Sequence, residues 1–290
     1  MAWLALKRGA TTLGELLFAP PHRRVPKSQP LPWYRTFWGA QSGLATALTT
    51  ILGFQATGVS LVQLLDKDAF DHAMRLFAQL ASPDWAILPR AISKVVESVL
   101  IAFVATIIAV PIAFVLSFMS AKNIMSGSRG AYGLYWLLRV LFNVSRSVEP
   151  ILWAIIFSVW VGIGPYAGML ALMIHSVSSL AKQFSEIVEC VEDGPIEGIQ
   201  STGAGSLQVI WFAVVPQIVL PYISYIIFRW DINVRMATII GFVGGGGIGM
   251  MLLEYLGQAQ WPQVGCIIFV ITAVVWLMDA FSTYVREAIK

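Results

Sequence analysis

Apolar runs long enough to cross a bilayer, each about 20 residues, recur along the chain with short polar stretches between them. "VLIAFVATIIAVPIAFVLSFM" (99–119) is the clearest, and its proline is tolerable because neighbouring helices can compensate the lost hydrogen bond. The pattern predicts six spans, at about 37–62, 91–120, 133–161, 165–183, 214–240 and 263–285. The first is the least oily, and a tight "GIGP" turn (162–165) joins the third to the fourth. The expected organisation is a tail at 1–36, a first span at 37–62, a loop at 63–90 and a five-span core at 91–286. The fold class is therefore all-α and polytopic.

Composition agrees. The 290 residues are 57% hydrophobic and 12% charged, about half the charge of a soluble domain. The formal net charge of +3 is too small to indicate nucleic acid. Cys190 and Cys266 stand alone, so neither a metal site nor a disulfide framework is indicated. The N-terminal stretch has a basic pair in mid-run and no small-residue cleavage pattern, which fits a surface amphipathic helix or a tail rather than a signal peptide.

Lys and Arg set the orientation. Lys7, Arg8, Arg23, Arg24, Lys27 and Arg35 place the tail in the cytoplasm, and six crossings return Arg286 and Lys290 to the same side. The 241–262 loop has no Lys or Arg and falls outside, as does 63–90. Residues 184–213 fall inside, and they are acidic: Glu186, Glu189, Glu192, Asp193 and Glu197. An acidic cytosolic loop between two spans invites a partner.

From Glu197 the loop reads Glu-Gly-Ile, three residues, Gly203, nine residues, then Ala213-x-Val215-Pro216. Helical sequence flanks Gly203, which would supply a bend or a close approach, and Pro216 suits the first turn of the next helix. This pattern resembles the EAA signature of bacterial ATP-binding-cassette (ABC) importer permeases, E-A-A-x3-G-x9-I-x-L-P. Gly198, Ala213 and Val215 depart from it in side chain only. An ordinary solvated loop is the plainer alternative. "GIGPYAGMLALMIHS", "HSVSSLAKQFSEIVECVEDGPIEGIQSTGA" and "VVPQIVLPYISYIIFRWDINVRMATIIGFVGGGGIG" are similar to the permease subunit of phosphonate ABC importers, over about residues 90–286.

The resemblance implies a type I importer core and a short coupling helix seated in a cytosolic ATPase. Glu197, Thr202, Gly203, Ala204 and Pro216 are its coupling residues. It also implies a second copy of the permease, two ATP-binding subunits that hold ATP and Mg, an external substrate-binding protein, and a multi-pass place in the bacterial inner membrane. Relatives for phosphite or hypophosphite look similar; phosphate or an amino acid is a further alternative, and a membrane enzyme or scaffold the remote one. No G-x4-G-K-[ST] occurs, so ATP hydrolysis belongs to a partner and this chain is expected to be a transport subunit, not an enzyme.

Charges inside the spans are the candidate pathway, because a buried charge costs about 2.5–3.5 kcal/mol and usually faces a cavity or partner. Arg139, Arg146 and Glu149 lie in the third span and Arg229, Asp231 and Arg235 in the fifth. Spacing pairs Arg146 with Glu149 and Asp231 with Arg235, leaving Arg139 and Arg229 in excess. Arg146, Arg229 and Arg235 are assigned to a pathway or gate, since the guanidinium fork suits phosphonate oxygens. Arg139 is read as a boundary residue, and His175 as packing before substrate contact. Gly244 and Gly246 belong to a "GGGGIG" run that follows a membrane span and no strand, so it is not a dinucleotide loop. It is read either as an external connection or as irregular backbone beside the pathway.

Overall fold

The computed structural model describes residues 37–58 and 66–289, all of the regular structure there being helical. The expected N-terminal tail (1–36) lies outside the described residues, as do 59–65. The chain divides into two units, 1–74 and 75–290.

In the first unit, α1 runs Phe37–Thr57 and stops at Gly58, whose φ is +64°. The rest of the expected 37–62 span, 59–62, lies outside the described residues. Thr46, Thr50 and Thr57 bond back to carbonyls four residues earlier at 2.8, 2.8 and 2.6 Å. Its interspersed Gln, Ser and Thr keep it out of the helices apolar enough to cross a membrane. Lys67–Leu80 forms α2, where a loop was expected.

The second unit is built on two long helices, α3 (Leu88–Met119) and α7 (Pro165–Glu189), packed along most of their length. Small side chains allow this: Ala91, Ala102, Ala105, Ala109 and Ala113 of α3 and Ala167, Ala171 and Ala181 of α7 have no exposed surface. Between them come α4 (Lys122–Met125), α5 (Arg129–Ser147) and α6 (Pro150–Val161). After α7 follow α8 (Asp193–Gln200), α9 (Ser206–Val209), a π-helical turn (Ile210–Val214), α10 (Val215–Gly241), α11 (Gly247–Gly257) and α12 (Trp261–Ile289).

Among the described residues, three stretches are long and apolar enough to cross a membrane: Trp85–Met119, Ser206–Gly241 and Trp261–Ala288. α5 and α6 qualify only as a pair, bent by 89°. The sequence reading ran 133–161 as one straight span, and the break corrects it. Pro150 opens α6 and disfavours helical geometry at the residue before it, so Glu149 is extended (ψ 144°). α7 is less apolar because it carries His175, four serines, Lys182 and Glu186. Its centre is enclosed by neighbouring helices, so it does not need an oily surface.

Within the expected 184–213 segment α7 continues to Glu189, α8 covers Asp193–Gln200 and helix resumes again at Ser206. Half of the 241–262 connection is the helix α11. Buried core residues fall into three clusters, around Leu172 and Ile240, around Phe184 and Tyr222, and around Ile248 and Ile267.

Candidate coupling hairpin and cationic pathway

The polar segment folds as an exposed hairpin. α8 carries Glu197 on its surface, and no residue of α8 is buried. Thr202 ends the helix with its amide and hydroxyl both donating to the Ile199 carbonyl, at 3.2 and 2.7 Å. Gly203 then turns the chain with φ +81°. A Cβ there would meet nothing within 4 Å, so this glycine is required by conformation and not by space. Of the two roles open to it in the sequence, it takes the bend. Ala204 follows, half-buried, and the Gln208 side chain caps α9 by accepting from Gly205 N at 2.9 Å. Two short helices thus flank the turn, as the sequence indicated. The π-helical turn leads into α10, where Pro216 occupies the first turn and needs no amide partner. Glu197 makes no ion pair among the described residues.

A second feature lies deeper. Arg229 of α10 is 7% exposed and has no carboxylate or hydrogen-bond partner among the described residues. Arg146, at the end of α5, is its electrostatic neighbour. His175 of α7 feels both arginines and faces the Val148 backbone in the α5–α6 bend; its Nδ1 is buried and has no hydrogen-bond partner among the described residues. Helices α5, α7 and α10 thus bring the charge of the exposed Arg146 and the buried Arg229 to bear on His175, beside the break that follows α5. A positive centre without its own counter-ion is what an anion would complete. The buried indole N–H groups of Trp153 and Trp230 also lack hydrogen-bond partners among the described residues.

The other sequence candidates go elsewhere. Glu149 is exposed at the bend and forms no ion pair with Arg146 among the described residues, because the break between helices takes the two off a common face. That pairing is corrected. Arg139 is not in excess: its Nη2 meets Glu189 Oε1 at 2.6 Å, joining α5 to the end of α7. Asp231 does pair with Arg235, and Arg235 also reaches Asp279 of α12. This group is built into the α10–α12 contact, apart from Arg146 and His175.

Gly244 and Gly246 lie in a turn wedged between helices. A Cβ on Gly246 would stand 2.8 Å from Pro165 N, and one on Gly244 3.0 Å from the Ile163 side chain. At the start of α11, Gly247 N donates to Glu97 Oε1 (3.1 Å) and Ile248 N to Ser98 Oγ (2.9 Å). Those two amides therefore already have acceptors from α3.

Sequence reasoning missed a buried node. Asn233 of α10, 1% exposed, donates from Nδ2 to Thr106 Oγ1 of α3 (2.9 Å) and to Ser176 Oγ of α7 (2.8 Å). A polar residue inside an apolar span is the one signal that points to it. Tyr222 forms a similar link, its hydroxyl 3.1 Å from Ser117 Oγ and donating to the Phe184 carbonyl at 3.1 Å.

Comparison with known proteins places this architecture. The chain is 34% identical over 257 residues to the phosphite transport system permease protein PtxC of Stutzerimonas stutzeri, covering 87% of this chain and 91% of that one. A putative cryptic phosphonate transport system permease protein, PhnE2 of Escherichia coli K12, is 44% identical over 119 residues, 41% of this chain and 98% of the relative. Among solved structures, the inward-facing MetNI methionine ABC transporter has a chain that superposes with a TM-score of 0.62 at 18% identity, covering 71% of this chain and 99% of that chain. That likeness speaks for the fold, a type I importer core. Residues 86–290 match the family described as "binding-protein-dependent transport system inner membrane component", and the chain, a multi-pass transport subunit and not an enzyme, belongs to that family.

Proposed function

We propose that this chain is the transmembrane subunit of an ABC importer that carries a phosphorus oxyanion, phosphonate or phosphite, into the cell. The observation that carries the reading is Arg229, buried beside Arg146 and His175 with no counter-ion among the described residues. Relatives named for phosphite, phosphonate and phosphate import support the same substrate class. Guanidinium groups match oxyanions of this shape through paired N–H donors. Two copies of the chain enclose the pathway, with both termini and the α8–α9 hairpin on the cytosolic side. Two ATPase subunits bind ATP and Mg there, and an external binding protein delivers the substrate. Closure of the ATPase pair pushes the hairpins through Glu197, Thr202, Gly203 and Ala204, and alternating access follows.

The test uses proteoliposomes holding the permease and its co-encoded ATPase, with the binding protein added. Methylphosphonate, phosphite, phosphate and methionine are compared for ATPase stimulation and uptake. A phosphorus oxyanion should stimulate, and Arg229→Gln should weaken that response about tenfold or more, the loss expected of a charge-assisted hydrogen bond. Stimulation by methionine alone, or an Arg229→Gln complex as active as wild type, overturns the substrate assignment.

A further inference from the structure

The hairpin is gripped at its root from two sides. Glu189, the last residue of α7, accepts at Oε1 from the Lys122 amide (2.7 Å) and from Arg139 of α5 (2.6 Å). One residue earlier, the Val188 carbonyl accepts from Asn123 Nδ2 at 2.8 Å. Three residues later the hold passes to α10. Gln217 Oε1 accepts from the Glu192 amide at 3.0 Å, and its Nε2 donates to the Ala213 carbonyl at 2.9 Å and toward the Glu192 carbonyl at 3.5 Å. One side-chain amide thus closes a 25-residue loop at its base, binding the N-cap of α8 to the first turn of α10.

These two links lead to the two helices that bear the arginines: α5 carries Arg146, and α10 carries Arg229. The π-helical turn between Ile210 and Val214 lies within the clasped loop, and such turns interrupt the regular helical ladder and are frequent at functional sites. Without the clasp, a push on α8 would be absorbed there. With it, α8 and α10 move as one body.

From this geometry we infer that Gln217 and the Arg139–Glu189 pair are positioning residues for energy coupling, carrying the movement of the hairpin into α10 and α5. Neither touches substrate or ATPase in this assignment; each acts through the helix it holds. The inference rests on the importer reading.

The experiment uses the complex of permease and ATPase in proteoliposomes, with two readouts. The first is the distance between spin labels on Gln200→Cys and Leu220→Cys, in a Cys190→Ser background, compared between the nucleotide-free and ATP-trapped states. The clasp requires this distance to stay the same in both states, and to broaden and shift in Gln217→Ala. The second is substrate moved per ATP hydrolysed. Gln217→Ala and Arg139→Ala should each lower it about fivefold to tenfold, within the range usual for coupled sites, while Arg139→Lys, which keeps the charge facing Glu189, recovers most of it. A wild-type label distance that changes between the states overturns the inference, and so does an unchanged transport-to-ATP ratio in both alanine variants. If a variant fails to assemble with the ATPase, the wild-type distance decides. Absence of stimulation by any phosphorus oxyanion defeats the substrate assignment alone, because the distance measurement needs only ATP.

Discussion

Gly203 offers a perturbation whose cost can be worked from geometry. Its φ of +81° is one that residues with a Cβ rarely adopt, yet a Cβ there would touch nothing. Space and conformation are therefore separable. Alanine adds only the conformational penalty, about 1–2 kcal/mol. Asparagine, which tolerates the left-handed region, adds less; valine, β-branched, adds more. The turn is exposed and lies outside the three core clusters, so thermal stability of the helical bundle should not change. The penalty instead falls on presenting α8 to its partner. A cost of 1–2 kcal/mol corresponds to about a 5- to 30-fold loss of the docking-ready turn.

The assay is titration of the ATPase subunit against nanodisc-held permease, alongside uptake per ATP. Affinity should fall in the order Gly, Asn, Ala, Val, with Ala weaker by that 5- to 30-fold factor. The reasoning is refuted if Val binds as well as Gly. It is also refuted if Asn is as weak as Val, or if alanine lowers the melting temperature of the bundle.

Two further outcomes concern the packed interior. Gly241→Ala would put a methyl 2.6 Å from Gly249 Cα and 2.7 Å from the Gly246 carbonyl, where carbon contacts normally stand about 3.5–4.0 Å apart; a loss of about 1–3 kcal/mol is expected in thermal or denaturant unfolding of the detergent-solubilised protein, and stability equal to wild type would count against this packing. Asn233→Leu keeps the volume but removes the links to Thr106 and Ser176; at about 0.6 kcal/mol for an average interhelical hydrogen bond in a membrane protein, it should cost about 1 kcal/mol, and a stabilised variant would show that the node is not a structural link.

Much of the α8–α9 hairpin was legible because its features are local. Gly203 and Pro216 act through their own backbone torsions, and the helices beside them need only near neighbours in sequence. The α5–α6 break had a local signal too, the extended residue that Pro150 demands, but the apolar run on either side of it masked that signal. Glu189 looked like one more loop acid because its partner Arg139 is 50 residues away. Likewise, nothing near Arg229 in sequence reveals whether it has a counter-ion.

The sequence by itself determined that this is a helical membrane protein and that one polar segment bends at a glycine. Hydropathy and backbone preference are properties of short stretches, so they survive without knowledge of the fold. Only the tertiary structure decided which charges meet. It brought Arg146 and His175 to Arg229, sent Arg235 to Asp231 and Asp279, and packed the glycine run against α3 and α7. Electrostatic and steric partners are set by distance in space, and helices that cross at an angle bring together residues that spacing along the chain keeps far apart.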